Sequence, residues 1–137
     1  MNTARYNHGC FSVKENGVST LVVVVGGYAA SGGYELLTEV LKISENVWQA
    51  GPNLPYGIVE NKGVESNSCQ YLGFTVGGFG SGALIDGAVY HTHKSILGLK
   101  KIKENDYQWV PAGEMHAPRE GHTVVNAWSL SPIVPNC

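Results

Sequence analysis

The sequence predicts an all-β chain made of similar units stacked side by side. An apolar run closes on a diglycine twice, as Leu21-Val22-Val23-Val24-Val25-Gly26-Gly27 and as Tyr71-Leu72-Gly73-Phe74-Thr75-Val76-Gly77-Gly78. A tryptophan follows each copy, Trp48 and Trp109, and six residues beyond each stands an apolar residue, Leu54 or Met115. No stretch carries a convincing helical period. Repeats of about 50 residues built this way mean stacked supersecondary units, not one irregular core. That organisation favours an interaction scaffold over an enzyme.

Along the chain, Arg5 and His8 form an Arg-x-x-His ahead of the first diglycine, and Arg119 and His122 repeat it near the end. Met1 stands four residues before Arg5, as Met115 stands four before Arg119. The chain is therefore expected to open on the close of one unit and to finish on the opening strand of another, with two full units between. Leu21 to Val25 is mostly β-branched and too short for an ordinary helix. Consecutive apolar residues suit a strand covered on both faces, and glycines allow backbone angles and approaches that a Cβ forbids. Glu39 to Ile43 and Leu99 to Ile102 supply third strands with charges interspersed. Glu45-Asn46 before Trp48 is echoed by Glu104-Asn105 before Trp109. Gly51-Pro52-Asn53-Leu54-Pro55 and Pro111-Ala112-Gly113 read as turns after the tryptophan strands. The second unit departs at its start, where Ile58 holds the expected arginine position.

The ordered set of Arg-x-x-His, Gly-Gly, Trp and then Met or Leu resembles the kelch repeat, one blade of a β-propeller, from Met1 to about Asn126. The resemblance implies a partial kelch-type propeller with two complete four-stranded antiparallel blades and partial flanking blades. Residues 1–4 would end a preceding blade, 5–57 form a blade, 58–118 form a divergent blade and 119–126 begin a further one. Residues 127–137 form a divergent tail outside the propeller. The repeat motif comprises Arg5, His8, Gly26, Gly27, Trp48, Gly77, Gly78, Trp109, Arg119 and His122. A tyrosine several residues after the diglycine belongs to the pattern. Tyr34 matches it, and Ile85 stands at that offset in the second unit. An antiparallel sandwich with two chance diglycines is the alternative architecture.

Propellers close with roughly four to eight blades, more than this chain holds. An unclosed stack exposes apolar surface where a neighbouring blade would lie. After Thr123-Val124-Val125 a second strand and a third diglycine should follow, but the tail to Cys137 carries Pro132 and Pro135, which argue against a central strand. The expectation is a truncated product or fragment of a longer propeller, without independent activity, or a chain whose copies complete a ring by self-association.

The 137 residues suit one domain. A net charge of -2 without a basic stripe excludes a nucleic-acid partner from the expectation. Lys94, Lys100, Lys101 and Lys103 read as a solvated strand edge. No apolar run approaches the about 20 residues of a membrane span, and Met1 to His8 lacks the apolar region of a signal peptide. Cys10, Cys69 and Cys137 form no spaced framework, which suits reduced, mostly buried thiols and a cytoplasmic location.

Chemistry finds little support. Gly77-Gly78-Phe79-Gly80-Ser81-Gly82 lacks the Lys-Ser/Thr and the helix of a phosphate loop and reads as a flexible loop. His91 and His93 share a strand face, and His8 and Cys10 have the same spacing, but two ligands make no metal site. Gly80-Ser81-Gly82 is no nucleophile elbow. Cys10 beside His8 lacks an orienting third group, and the carboxylates are scattered singly. No catalytic residue, metal or cofactor is expected. A fragment of a kelch-like propeller enzyme is the remaining enzymatic alternative. The resemblance implies a module that binds a protein partner through inter-strand loops on one face. Those loops are 28–34 and 79–88, with the turns at Pro55-Tyr56-Gly57 and His116-Ala117-Pro118. Tyr28, Tyr34, Tyr56, Phe79 and His116 are the candidate binding residues, the aromatics as anchors, with packing against their own blade as the alternative. Ligase receptors of that family carry a BTB domain, which these residues do not contain, so ligase recruitment is not expected of them.

Overall fold

The structure is a computed structural model that describes residues 1–15, 17–66, 68, 70–85, 88–103 and 106–125, without the side chains of 81–85 and 88–90. Its strands are β1 (Arg5–Tyr6), β2 (Gly9–Glu15), β3 (Val18–Val25), β4 (Tyr28–Ala29), β5 (Thr38–Lys42), β6 (Val47–Ala50) and β7 (Ile58–Val59). They continue with β8 (Lys62–Glu65), β9 (Gly73–Val76), β10 (Phe79–Ile85), β11 (Ala88–Thr92), β12 (Ser95–Lys103) and β13 (Asp106–Glu114). Two four-stranded sheets, β2-β3-β5-β6 and β8-β9-β12-β13, are antiparallel throughout. Smaller sheets, β1-β4 and β7-β10-β11, lie beyond the diglycines. This is an all-β, partial β-propeller-like fold of two complete blades. Among the described residues no helix is long and apolar enough to cross a membrane.

The blades repeat residue for residue. In the first, Val25 pairs Thr38 and Leu41 pairs Trp48. In the second, Val76 pairs Ile96 and Leu99 pairs Trp109. The second glycine of each pair makes one bond into the segment that follows: Gly27 donates to the Ile58 carbonyl at 2.7 Å, and Gly78 donates to the Arg119 carbonyl at 2.7 Å. Ile58 thus takes the place of Arg119, as the spacing predicts. The residues six beyond each tryptophan also agree, Leu54 donating to the Leu36 carbonyl and Met115 to the Lys94 carbonyl, both at 2.7 Å. The third residue of each opening segment is left-handed, with φ of 54° at Asn7, 55° at Glu60 and 58° at Gly121. Three residue types share that turn, so no sequence pattern marks it.

Strand β3 is covered on both sides by β2 and β5, and Val23 and Val25 are fully buried. The strand must then turn sharply under the next blade. Gly26 does so at φ +67°, where a Cβ would lie 2.6 Å from the Ile58 carbonyl oxygen. Replacing Gly26 by Ala is expected to cost about 2 kcal/mol or more, since left-handed backbone alone costs a Cβ roughly 1–2 kcal/mol. Gly17, at φ +78° with open space around it, should lose only the conformational part. Chemical denaturation of both variants makes the comparison.

The blades join through a closely packed interface. Strands β2 and β8 run alongside each other, and the Phe11 ring packs where Gly73 has no side chain. Trp109 meets Phe11 edge-on at 6.3 Å and donates its indole N–H to Thr38 Oγ1 at 2.8 Å. Phe11, Val23, Val25, Val40, Leu54, Ile58, Leu97, Leu99 and Trp109 form one core across the junction.

Some expectations need correction. Pro111-Ala112-Gly113 is not a turn but part of β13. That strand lies at the outside of its sheet, beside a register shift at Ile96/Leu97, which is where a proline is tolerated in a sheet. The run from Phe79 to Ile85 is not a loop but strand β10, paired with β7 and β11, and Gly80 is there because the Gly57 backbone lies against it. Lys100, Lys101 and Lys103 lie beyond Leu99, where β12 pairs with β13 but no longer with β9, so they stand on a largely exposed strand edge; Lys94, just before β12, pairs with Glu114, and Lys100 lies 5.1 Å above the Tyr71 ring. Cys10 is exposed, not buried, while Cys69, Cys137 and the tail 127–137 lie outside the described residues.

Candidate functional site

The small sheets place aromatic side chains in a row. Tyr6 pairs Tyr28 across β1-β4, and Val59 pairs Phe79 across β7-β10, so Tyr28 and Phe79 occupy the same position in successive blades. Tyr34 bridges back to Tyr28. The ring centroids follow at 5.6 Å from Tyr6 to Tyr28, 5.5 Å from Tyr28 to Tyr34 and 6.2 Å from Tyr34 to Phe79. The row therefore starts on one blade and ends on the next. Tyr28, Tyr34 and Phe79 are half-buried, so each ring both packs locally and presents an edge or face to solvent. Tyr6 is 57% exposed and heads the row. The sequence reading missed it, because it sits inside the Arg-x-x-His motif and shows only as an aromatic at a variable position.

The turn between the blades reaches the same surface. A Cβ on Gly57 would meet the Tyr34 carbonyl oxygen at 2.7 Å and its Cβ at 2.8 Å, so the chain passes directly against the Tyr34 backbone. Next to it, Tyr56 stacks on His93 with centroids 4.2 Å apart and planes 5° from parallel, and its hydroxyl bonds Ser95 Oγ. Burial raises the Tyr56 pKa, with the Ser95 bond opposing it, so the phenol stays protonated at neutral pH. The His91 and His93 rings are 4.2 Å apart. Among the described residues no group of three or more His, Cys, Asp or Glu side chains could hold a metal ion. His116 is exposed and joins none of the ring contacts described above.

The repeat-motif residues hold this surface from below. Arg5, buried to 0% side-chain exposure, donates to the Gly26 carbonyl at 3.1 Å and the Leu37 carbonyl at 2.7 Å, with Glu39 Oε2 at 3.6 Å from its other amino group. Glu39 Oε1 accepts the backbone N–H groups of Asn2 and Thr3 at 2.9 and 3.0 Å. In the second blade all three roles turn apolar together. Ile58 stands for Arg5, Leu97 for Glu39, and Pro55, which has no N–H, for Asn2. At the histidine position the second blade has Asn61, fully buried and donating to Thr75 Oγ1 at 2.7 Å and the Val25 carbonyl at 3.3 Å. That bond fastens one blade to the other.

His8 and His122 occupy the same position in their segments, and both pKa values lie below the ordinary 6.5. Burial is the main cause in each; the Arg5 cation adds to it at His8, against a contact with the Arg5 backbone, and Lys62 and Arg119 add to it at His122. A lowered folded-state pKa means that the unfolded chain binds more protons as pH falls through 6.5. Stability is therefore complete above that range and is lost on acidification until the folded histidines protonate. The denaturation midpoint should drop between about pH 7.5 and about pH 5.5, and the variant His8→Gln/His122→Gln should flatten the drop. Glu65, held below its ordinary 4.5 chiefly by its bond from Lys14, loses its contribution only at still lower pH, so it stays out of that window.

No family model matches the chain, and no curated protein matches its sequence.

Proposed function

We propose that the chain is a protein–protein interaction scaffold of the kelch-repeat type, non-catalytic and cytoplasmic, that binds a protein partner through the face built from β1, β4, β7, β10 and the Tyr56-Gly57 turn. The observation that supports this reading is the row Tyr6, Tyr28, Tyr34 and Phe79, which crosses from one blade to the next with its rings only partly covered. Rigid aromatic side chains held by a packed scaffold offer large contact area at little entropic cost and are the common anchors of interfaces. The chemistry around the row suits recognition: it offers ring faces and backbone edges.

The test is selection of binding peptides from a random display library on the full chain, followed by affinity measurements on Tyr28→Ala and Tyr34→Ala. Each substitution should weaken the selected peptides by about tenfold or more, the signature of a hot spot, while leaving the blade cores folded. An unselective library, or peptides that bind both variants as well as the parent, would reject this face.

A further inference from the structure

We propose that the chain associates with a second copy of itself head to tail, the outer face of the first blade docking on the outer face of the second. The template is the junction already inside the molecule. There, the face of the second blade that carries Gly73, Leu99 and Trp109 closes on the face of the first that carries Phe11, Val23, Thr38 and Val40. The repeat places counterparts of both sets on the outer faces. Val22, Leu41 and Trp48 hold the positions of Gly73, Leu99 and Trp109, and Val64, Phe74, Ile96 and Gly98 hold those of Phe11, Val23, Thr38 and Val40.

Burial separates the two situations. Within the junction Leu99 is 1%, Trp109 7%, Phe11 6%, Val23 0% and Thr38 1% exposed. At the outer positions Leu41, Trp48, Val64, Phe74 and Ile96 are each only half-buried. Among the described residues no third blade covers either face.

The side chains at these positions suit each other. The large-small pair of Phe11 against Gly73 becomes Val64 against Val22, two residues of middle size. Trp48 meets Ile96 in place of Thr38, so its ring packs on an apolar side chain and its indole N–H lacks the hydroxyl acceptor that Trp109 has. On the second outer face the Tyr71 ring lies over Gly98 and 5.1 Å from Phe74, filling the room that the Val40 side chain takes in the first blade. The likeness ends at the inner strands. Gly63 abuts the Cys10 backbone inside the molecule, and its counterpart on the outer face is Cys10 itself. The junction between copies is therefore wider at the inner strands and closes on Leu41 and Trp48. A face that meets a different face repeats without self-matching, so association either closes a ring or continues.

Light scattering on the full chain over a range of concentrations tests this, with Leu41→Lys on one face and Ile96→Lys on the other. Both positions are half-buried, and circular dichroism checks that each variant keeps its strands. The parent should form species larger than a monomer, whether closed or growing. Each variant alone should be monomeric, and a mixture of the two should yield a one-to-one pair and nothing larger, since one intact face remains on each. A parent that stays monomeric overturns the proposal and leaves the faces to another occupant, such as further blades of a longer chain. Association that survives either substitution, or that only one of them abolishes, shows a different or symmetric contact and overturns it equally.

Discussion

Replacing Trp109 by Ala will cost about 3–5 kcal/mol, the range for deleting a buried aromatic ring, while the same change at Trp48 will cost about 1 kcal/mol, as partly exposed positions commonly do. The sequence makes the two tryptophans look alike, since each lies on the fourth strand opposite a third-strand leucine. The fold makes them different. Trp109 has a neighbouring blade, loses nearly all its surface to Phe11 and the core, and satisfies its indole N–H on Thr38 at 2.8 Å. Its removal leaves a cavity between blades and a buried threonine hydroxyl without its partner. Trp48 stands at the same register on a face that no described blade covers. Urea denaturation at a dilution where the chain is monomeric separates the two. Equal losses would mean that the tryptophans are held within their own blades, and the inter-blade role of Trp109 would fall.

The contrast shows what could be read beforehand. The apolar runs that end in Gly26-Gly27 and Gly77-Gly78 marked both interior strands correctly, because a strand flanked by two others and a positive-φ exit leave traces in residue type; covering of both faces does not hold among the described residues, where Val22 and Phe74 stay half-buried. Trp48, Trp109, Leu54 and Met115 marked the fourth strands and their ends by spacing alone. The polarity switch between blades was half-visible: Ile58 at the arginine position was legible, but its compensation by Leu97 and Pro55 required the register. The turn at Asn7, Glu60 and Gly121 was invisible, since a hydrogen bond such as Glu60 N–H to the Asn7 carbonyl at 2.8 Å imposes the conformation regardless of side chain. Pro111 was misread because a proline preset for a turn is equally tolerated in an edge strand such as β13. The aromatic row fell between these cases. Tyr28, Tyr34 and Phe79 could be named from loop position, but their order and the inclusion of Tyr6 depend on short strand pairings that only the fold displays.

Substituting Glu39 by Leu will cost about 3–5 kcal/mol, because it strands a buried arginine without its counter-charge, and adding Arg5→Ile will recover much of that loss. The chain itself supplies the rationale, since Ile58 and Leu97 occupy the corresponding positions of the second blade, both buried in the common core. A carboxylate 3.6 Å from the guanidinium is an ion pair but not a hydrogen bond, and both groups have been taken out of water. Replacing such a pair by packed apolar residues is often neutral, whereas removing one partner is not. The recovery should stop short of complete. Glu39 also accepts the N–H groups of Asn2 and Thr3, and these lose their charged acceptor in the double variant. The second blade avoids half of that cost by placing Pro55 where the first has Asn2, so Asn2→Pro added to the double variant should raise stability again. A double-mutant cycle measured by chemical denaturation reads the coupling directly. Strictly additive losses at residues 5 and 39 would show that the two charges are stabilised independently, Arg5 by the Gly26 and Leu37 carbonyls and Glu39 by the backbone before it.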